Sequence, residues 1–168
     1  MTGVEPRPGL RSARTCDEAL HLELDNDLAA IESGRRTIRE WLAPIKLSPK
    51  VTHRWEVIFE EIVSNIVRHG FSRGSRQTVL VTASRSPHTI DFTFDDDGRP
   101  FDPLAAPEPK PFRSLEAAPL GGLGVALVRH LAAAMSYERD PKISTAGAPT
   151  EPAFTPRNRL RVSIATGE

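Results

Sequence analysis

The apolar positions of this chain change period several times, and each change marks an element. Leu20, Leu22 and Leu24 alternate with His21, Glu23 and Asp25, the period of a strand with one buried face. A first helix is predicted over 28–42. A second is predicted over 49–69, with Ser48 as N-cap, Pro49 at the first helical position and Gly70 as the stop. At about 100° per residue, Val51, Trp55, Ile58, Phe59, Ile62, Val63, Ile66 and Val67 fall within one arc of roughly 180° that must face a core. Glu61 and Asn65 lie just outside one edge of that arc, and Glu60 lies near the opposite edge.

Two strands follow over 78–85 and 89–95, joined by Ser86-Pro87-His88 in a short antiparallel connection. Ile90, Phe92 and Phe94 point one way. Asp96 shares their parity, so it is directed at the helix-covered side, whereas Asp95 and Asp97 face away. After Gly124 a third helix places Val125, Val128, Leu131 or Ala132, and Met135 on one stripe, and a strand begins at 136–139. Leu160, Val162 and Ile164 alternate with Arg159, Arg161 and Ser163 in a last strand. Residues 1–18 hold Pro6, Pro8 and Gly9 without apolar periodicity and read as a flexible tail, leaving 19–168 as one domain. Pro100, Pro103, Pro107, Pro109, Pro111 and Pro119 rule out regular structure in the stretch that holds them, which is read as a lid over about 99–121. Residues 140–157 form a second irregular loop. Strand, two helices, two strands, helix and two strands, several joined too tightly for crossovers, predict an α+β two-layer sandwich. Its mostly antiparallel sheet is covered on one face by helices.

Composition adds little beyond exclusions. A chain of 168 residues, 39% apolar and 26% charged, suits one soluble domain. Its 22 basic residues balance 22 acidic ones, so net charge draws it to neither nucleic acid nor a membrane surface. Cys16 is the sole cysteine, and no apolar run is long enough to be a signal or to span a bilayer, so a cytoplasmic location is expected.

Three stretches carry candidate chemistry. Glu61 and Asn65 stand one turn apart on one helix flank, where Asn65 can give a hard oxygen to Mg2+ and Glu61 can accept a proton from an attacking hydroxyl or water. Asp96, an inward carboxylate at a strand end, needs a donor, and the exocyclic amino group of adenine can supply one. Gly98 lets the chain turn sharply there and leaves room for a flat base. Gly121, Gly122 and Gly124 enter the third helix without side chains, so free amides and the helix dipole can approach phosphate. Each stretch alone has a plain structural reading, as a solvated flank, a turn or a ligand-free helix entry; their order and settings together favour a magnesium-dependent nucleotide site. The glycine spacing matches neither a P-loop nor a Rossmann fingerprint. His69, in the apolar arc near the site edge, is expected to pack in the core, and no zinc site or hydrolase triad is visible.

From about Leu20 to Ile164 the chain resembles the GHKL ATPase superfamily of gyrase-type topoisomerases, histidine kinases and RsbW-type anti-sigma-factor kinases. Phe59-Glu60-Glu61-Ile62-Val63-Ser64-Asn65 and the following Ile66 to Phe71 are similar to its N-box. Asp96-Asp97-Gly98-Arg99-Pro100-Phe101-Asp102-Pro103 is similar to its first glycine box, and Gly121-Gly122-Leu123-Gly124-Val125-Ala126-Leu127-Val128 to its second. The resemblance implies that Glu61 is the catalytic base, Asn65 the magnesium ligand, Asp96 the adenine acceptor, and Gly121, Gly122 and Gly124 part of a phosphate-binding lid hinge. The short length, the Pro-Phe-Asp-Pro form and the lack of a phosphoacceptor helix pair point to the stand-alone RsbW-like branch. That branch implies ATP and Mg2+ as cofactors and two protein partners, a sigma factor and an STAS-domain anti-anti-sigma protein phosphorylated on Ser or Thr. A PP2C-type phosphatase reverses the mark, and copies pair through their sheets. Asn158-Arg159 stands where relatives often carry Gly-Thr, which puts a contact from that strand in doubt. The expected activity is therefore a serine/threonine protein kinase and anti-sigma factor. The alternatives are a non-catalytic, nucleotide-gated binding module that sequesters a sigma factor or other regulator, and an α+β domain with no nucleotide site.

Overall fold

The computed structural model of the protein describes residues 7–16, 18–71, 77–107, 123–140 and 157–167. The elements run β1 (Leu10–Cys16), β2 (Ala19–Asp25), α1 (Ala29–Leu42), α2 (Pro49–Asn65), a π turn (Ile66–Gly70), β3 (Thr78–Arg85), β4 (Thr89–Asp96), α3 (Leu123–Leu131), β5 (Ala134–Asp140) and β6 (Arg157–Ala165). The strands form one sheet in the order β1-β2-β3-β4-β6-β5, and every neighbouring pair is antiparallel. Alternate residues of the strands, Leu20, Leu22 and Leu24, Val79, Val81 and Ala83, Ile90, Phe92 and Phe94, and Leu160, Val162 and Ile164, form one buried core with the apolar faces of the helices. This is the expected α+β two-layer sandwich.

Residues 10–16 correct the expectation of a tail over 1–18. They form β1, paired with β2 from Leu10 opposite Leu24 to Cys16 opposite Ala19. Only Leu10 of this strand is buried. Backbone pairing and polar cross-strand contacts, such as Arg11 Nε to Asp25 Oδ1 at 2.5 Å, hold an edge strand whose side chains show no apolar rhythm. Residues 1–6 and Asp17 lie outside the described residues.

The second helix forms for the reasons its sequence states. Ser48 is extended and its Oγ accepts from Val51 N at 3.3 Å, with Pro49 next, which satisfies an otherwise open helix N–H. Val51, Trp55, Ile58, Phe59, Ile62 and Val63 are buried. Gly34 lets α1 cross closely, since a Cβ there would stand 2.6 Å from Phe59 Cζ. The α-helix ends at Asn65, four residues before the predicted end, and Ile66–Gly70 continues it as a π turn. At the other end of the site, α3 buries Val125 and Val128 but stops at Leu131. Ala133 N then donates to Ser163 O at 2.7 Å, which turns the chain into the sheet and puts Met135 in β5 rather than on the helical stripe.

Candidate functional site

The helix-covered face of the sheet ends in a row of three polar side chains. Asp96 on β4 stands opposite Asn158 on β6, which stands opposite Arg139 on β5. Asp96 and Asn158 are each 5% exposed. Asn158 Nδ2 donates to Asp96 Oδ1 and to Arg99 O, both at 2.9 Å, and Gly98 N donates to the same Asp96 oxygen at 2.8 Å. On the other side Asn158 Oδ1 accepts from Tyr137 Oη at 2.8 Å and from Arg139 Nη1 at 2.6 Å. Burial pushes the Asp96 carboxyl above its ordinary range. The bonds from Asn158 and Gly98 pull the other way, Asp97 adds to the rise and the Arg157 charge opposes it. Asp95, one residue earlier, faces the opposite side of the sheet and meets Arg159 through bonds of 2.6 and 3.0 Å.

The turn after β4 is tied to the end of the second helix. Arg99 N donates to Gly70 O at 2.8 Å, and a Cβ on Gly98 would stand 2.5 Å from that carbonyl oxygen and 2.7 Å from Asp96 Oδ1. The space left by the missing side chain of Gly98 is thus filled by backbone and carboxylate, where the sequence suggested room for a flat base. Its role is close packing of the Asp96 turn on the π turn.

Between these parts lies a cavity of about 270 Å³ whose walls include Asn65, His69 and Gly70 from the helix, Asp96, Arg99 and Phe101 from the turn, and Tyr137 and Asn158 from the sheet. Asn65 and Asp96 therefore face one space. His69 is exposed and lines it, which corrects the expectation of a core histidine: the π turn carries the last helical residues past the edge of the core. Glu61 does not line the cavity. It is half-buried, and its carboxylate lies against the backbone of Gly124 so closely that a Cβ there would overlap Oε2 and stand 2.9 Å from Cδ. Glu60 turns the other way and meets Arg35 at 3.6 Å, in line with the helical wheel. Gly121 and Gly122, and the lid beyond residue 107, lie outside the described residues, as do residues 141–156 of the second loop. The first part of the lid is held to α3 by Arg129, which donates to Pro103 O and, at 2.7 Å, to Ala106 O.

Among the described residues, no cluster of three or more His, Cys, Asp or Glu could hold a metal ion. The donor set fits an ion that takes one amide oxygen from Asn65 and the remainder from phosphate and water, as Mg2+ does. The residue that motif reading missed is Asn158, flagged in the sequence only as a departure from relatives. Its signal was parity: counting back from Ile164, Val162 and Leu160 puts an asparagine at the next inward position, and a buried amide needs partners.

No helix among the described residues is long and apolar enough to cross a membrane. The chain is 32% identical over 103 residues to the serine/threonine-protein kinase BtrW of Bordetella bronchiseptica, covering 59% of this chain and 72% of BtrW. Among solved structures it is similar to the histidine kinase domain of a blue-light activated histidine kinase from Erythrobacter litoralis EL346. That match has 16% identity and a TM-score of 0.47, over 85% of this chain and 62% of that one, so the chain spans less than two thirds of that domain. It is also similar to the mycobacterial sensor histidine kinase MprB, at 14% identity and a TM-score of 0.43, over 85% of this chain and 97% of that one. Residues 24–146 match the histidine kinase-like ATPase domain, and the chain belongs to that family, an ATP-binding domain of kinase type.

Proposed function

We propose that the protein is an ATP- and magnesium-dependent serine/threonine protein kinase that doubles as an anti-sigma factor. Its substrate is an STAS-domain antagonist, dephosphorylated in turn by a PP2C-type phosphatase. The observation that carries the reading is the convergence of Asn65 and Asp96 on one cavity, with Glu61 one turn before Asn65 on the same helix. Similarity to a protein named as a serine/threonine kinase supports the choice of acceptor. Asp96 accepts from the adenine amino group through Oδ2, since Oδ1 already takes two bonds. Asn65 holds Mg2+, which when bound neutralises charge on the phosphates. Glu61 takes the proton of the substrate hydroxyl, and the amides that open α3 receive phosphate oxygens.

The test is transfer of the labelled γ-phosphate of ATP to an STAS-domain protein. Labelled serine or threonine, lost on Glu61→Ala, is expected; a tight complex with no transfer by the wild type would overturn the kinase reading. A second reading, a nucleotide-gated module that sequesters a sigma factor without catalysis, is favoured by one observation: the Glu61 carboxylate faces Gly124 rather than the cavity. Partner affinity measured with ATP, with ADP and without nucleotide separates the two, because the pure module gives nucleotide-dependent binding and no product.

A further inference from the structure

We infer that Asn158 is a positioning residue that sets base selectivity, by holding Asp96 as an obligate hydrogen-bond acceptor so that the site takes 6-aminopurine and rejects 6-oxopurine nucleotides. The inference rests on the reading of Asp96 as the base-binding carboxylate and names the group that gives it that property.

The orientation of the Asn158 amide follows from its partners. Arg139 Nη1 can only donate, so the atom 2.6 Å from it is Oδ1. Arg99 O can only accept, so the atom 2.9 Å from it is Nδ2. With Tyr137 Oη on Oδ1 and Asp96 Oδ1 on Nδ2, the amide makes all four bonds available to it and cannot flip without pairing acceptor with acceptor and donor with donor. Asp96 consequently always meets an N–H from Asn158 and a second from Gly98. Both bonds fall on Oδ1 and favour the ionised form, in which the remaining oxygen, Oδ2, can only accept.

That matters because Asp96 is buried, and a buried carboxylate without such donors tends to hold a proton. A protonated Asp96 could donate to the O6 of a 6-oxopurine as readily as an ionised one accepts from the N6 amine of adenine, and discrimination would be lost. The charged groups bearing on this carboxylate are Asp97, Arg157 and, through the amide, Arg139. Asn158 also lies directly across the strand pair from Asp96, so shortening it leaves no other side chain of β6 at that register position.

The test is a titration of MgATP and MgITP against the full chain and three variants, read as the ratio of the two dissociation constants. ITP carries O6 in place of the amine and, with it, a proton on N1, so both edge positions that face a base-binding carboxylate exchange donor and acceptor roles. The wild type should favour ATP by about 100-fold or more, as sites built around a buried polar partner do. Asn158→Ala should lower that ratio at least about tenfold, chiefly by weakening ATP. Tyr137→Phe keeps the ring and leaves Arg139 as the remaining donor to Asn158 Oδ1, so the ratio should fall by about two- to fivefold. A merely structural role for Asn158 weakens both nucleotides together and leaves the ratio within twofold of wild type in both variants, which overturns the inference while the base-site reading stands. Asp96→Asn separates the two: if it keeps full ATP preference, Asp96 is not the base acceptor, and both fall.

Discussion

Replacing Gly124 by alanine perturbs Glu61 more than it perturbs the fold. The new Cβ would overlap Glu61 Oε2 and lie 2.9 Å from Cδ, inside the 3.0 Å that real Cβ contacts respect. Gly124 is the second residue of α3 and has no positive φ, so alanine suits its backbone, gaining up to about 0.5–1 kcal/mol over glycine in a helix. The atoms in the way are the end of a flexible, half-buried side chain, and a new rotamer for Glu61 costs about 0.5–1.5 kcal/mol. The two terms nearly cancel, and the melting temperature should stay within about 3 °C of wild type. The carboxylate, however, must retreat by about 1 Å or more, and a displacement of that size at a reacting group costs on the order of 100-fold in rate. Phosphoryl transfer measured as kcat at saturating MgATP should therefore fall by about two orders of magnitude in Gly124→Ala, with the melting temperature unchanged. A folded variant with kcat within twofold of wild type would refute the assignment of Glu61 as the base. Loss of MgATP binding instead would show that Gly124 serves as a close-packed phosphate seat.

Glu61→Ala should bind MgATP within about threefold of wild type by calorimetry yet lose transfer by about 10²- to 10⁴-fold, the range for removing a general base. Asn65→Ala should abolish the gain in ATP affinity on adding Mg2+ and leave metal-free affinity nearly unchanged; an equal gain in wild type and variant would exclude Asn65 as the metal ligand. Burial holds the Asp96 carboxyl above its unfolded pKa, so its contribution to stability is present below the unfolded value and lost as pH rises through the folded one. Asp96→Asn keeps an acceptor for Gly98 and Asn158 without the charge, and should raise the melting temperature at pH 7 and not at pH 3. The same variant should lose the thermal shift caused by MgATP, and a melting temperature at pH 7 at or below wild type would contradict the argument. Ser48→Ala removes the cap on Val51 N and should cost about 1 kcal/mol in urea denaturation, with no change in nucleotide affinity.

What was legible in the sequence is what depends on periodicity. The apolar arc of α2, its Ser48-Pro49 start and the alternation of β4 suffice to place Asn65 on the helix flank and Asp96 at the inward strand end, because burial of one face leaves few choices of register. Strand β1 was hidden because it buries one side chain and is held by backbone bonds, which carry no side-chain pattern. The π turn was hidden because apolar and polar spacing over five residues does not distinguish it from one more α-helical turn, and His69 was misplaced for that reason. Asn158 was hidden for another reason: its position is set by pattern, but its role depends on Asp96, Tyr137 and Arg139, which only the strand order β4-β6-β5 brings alongside it.

The second helix links the two ends of the site. Gly70, at the end of the π turn, carries the carbonyl on which the Asp96 turn is hung, through Arg99 N and the bare Cα of Gly98. Glu61, nine residues earlier on the same continuous helical segment, carries the carboxylate that rests on Gly124. The Asp96 turn and the start of α3 are thus each docked to one continuous helical segment through a glycine, at contacts closer than a Cβ allows without a shift. The distance between Asp96 and Glu61 is therefore set by the rise of α2 and the winding of Ile66–Gly70. An α-helical turn in place of the π turn would rotate the Gly70 carbonyl away from Arg99 N while leaving Glu61 and Asn65 where they are, so the Asp96 turn would lose its mooring and the Glu61–Gly124 contact would not.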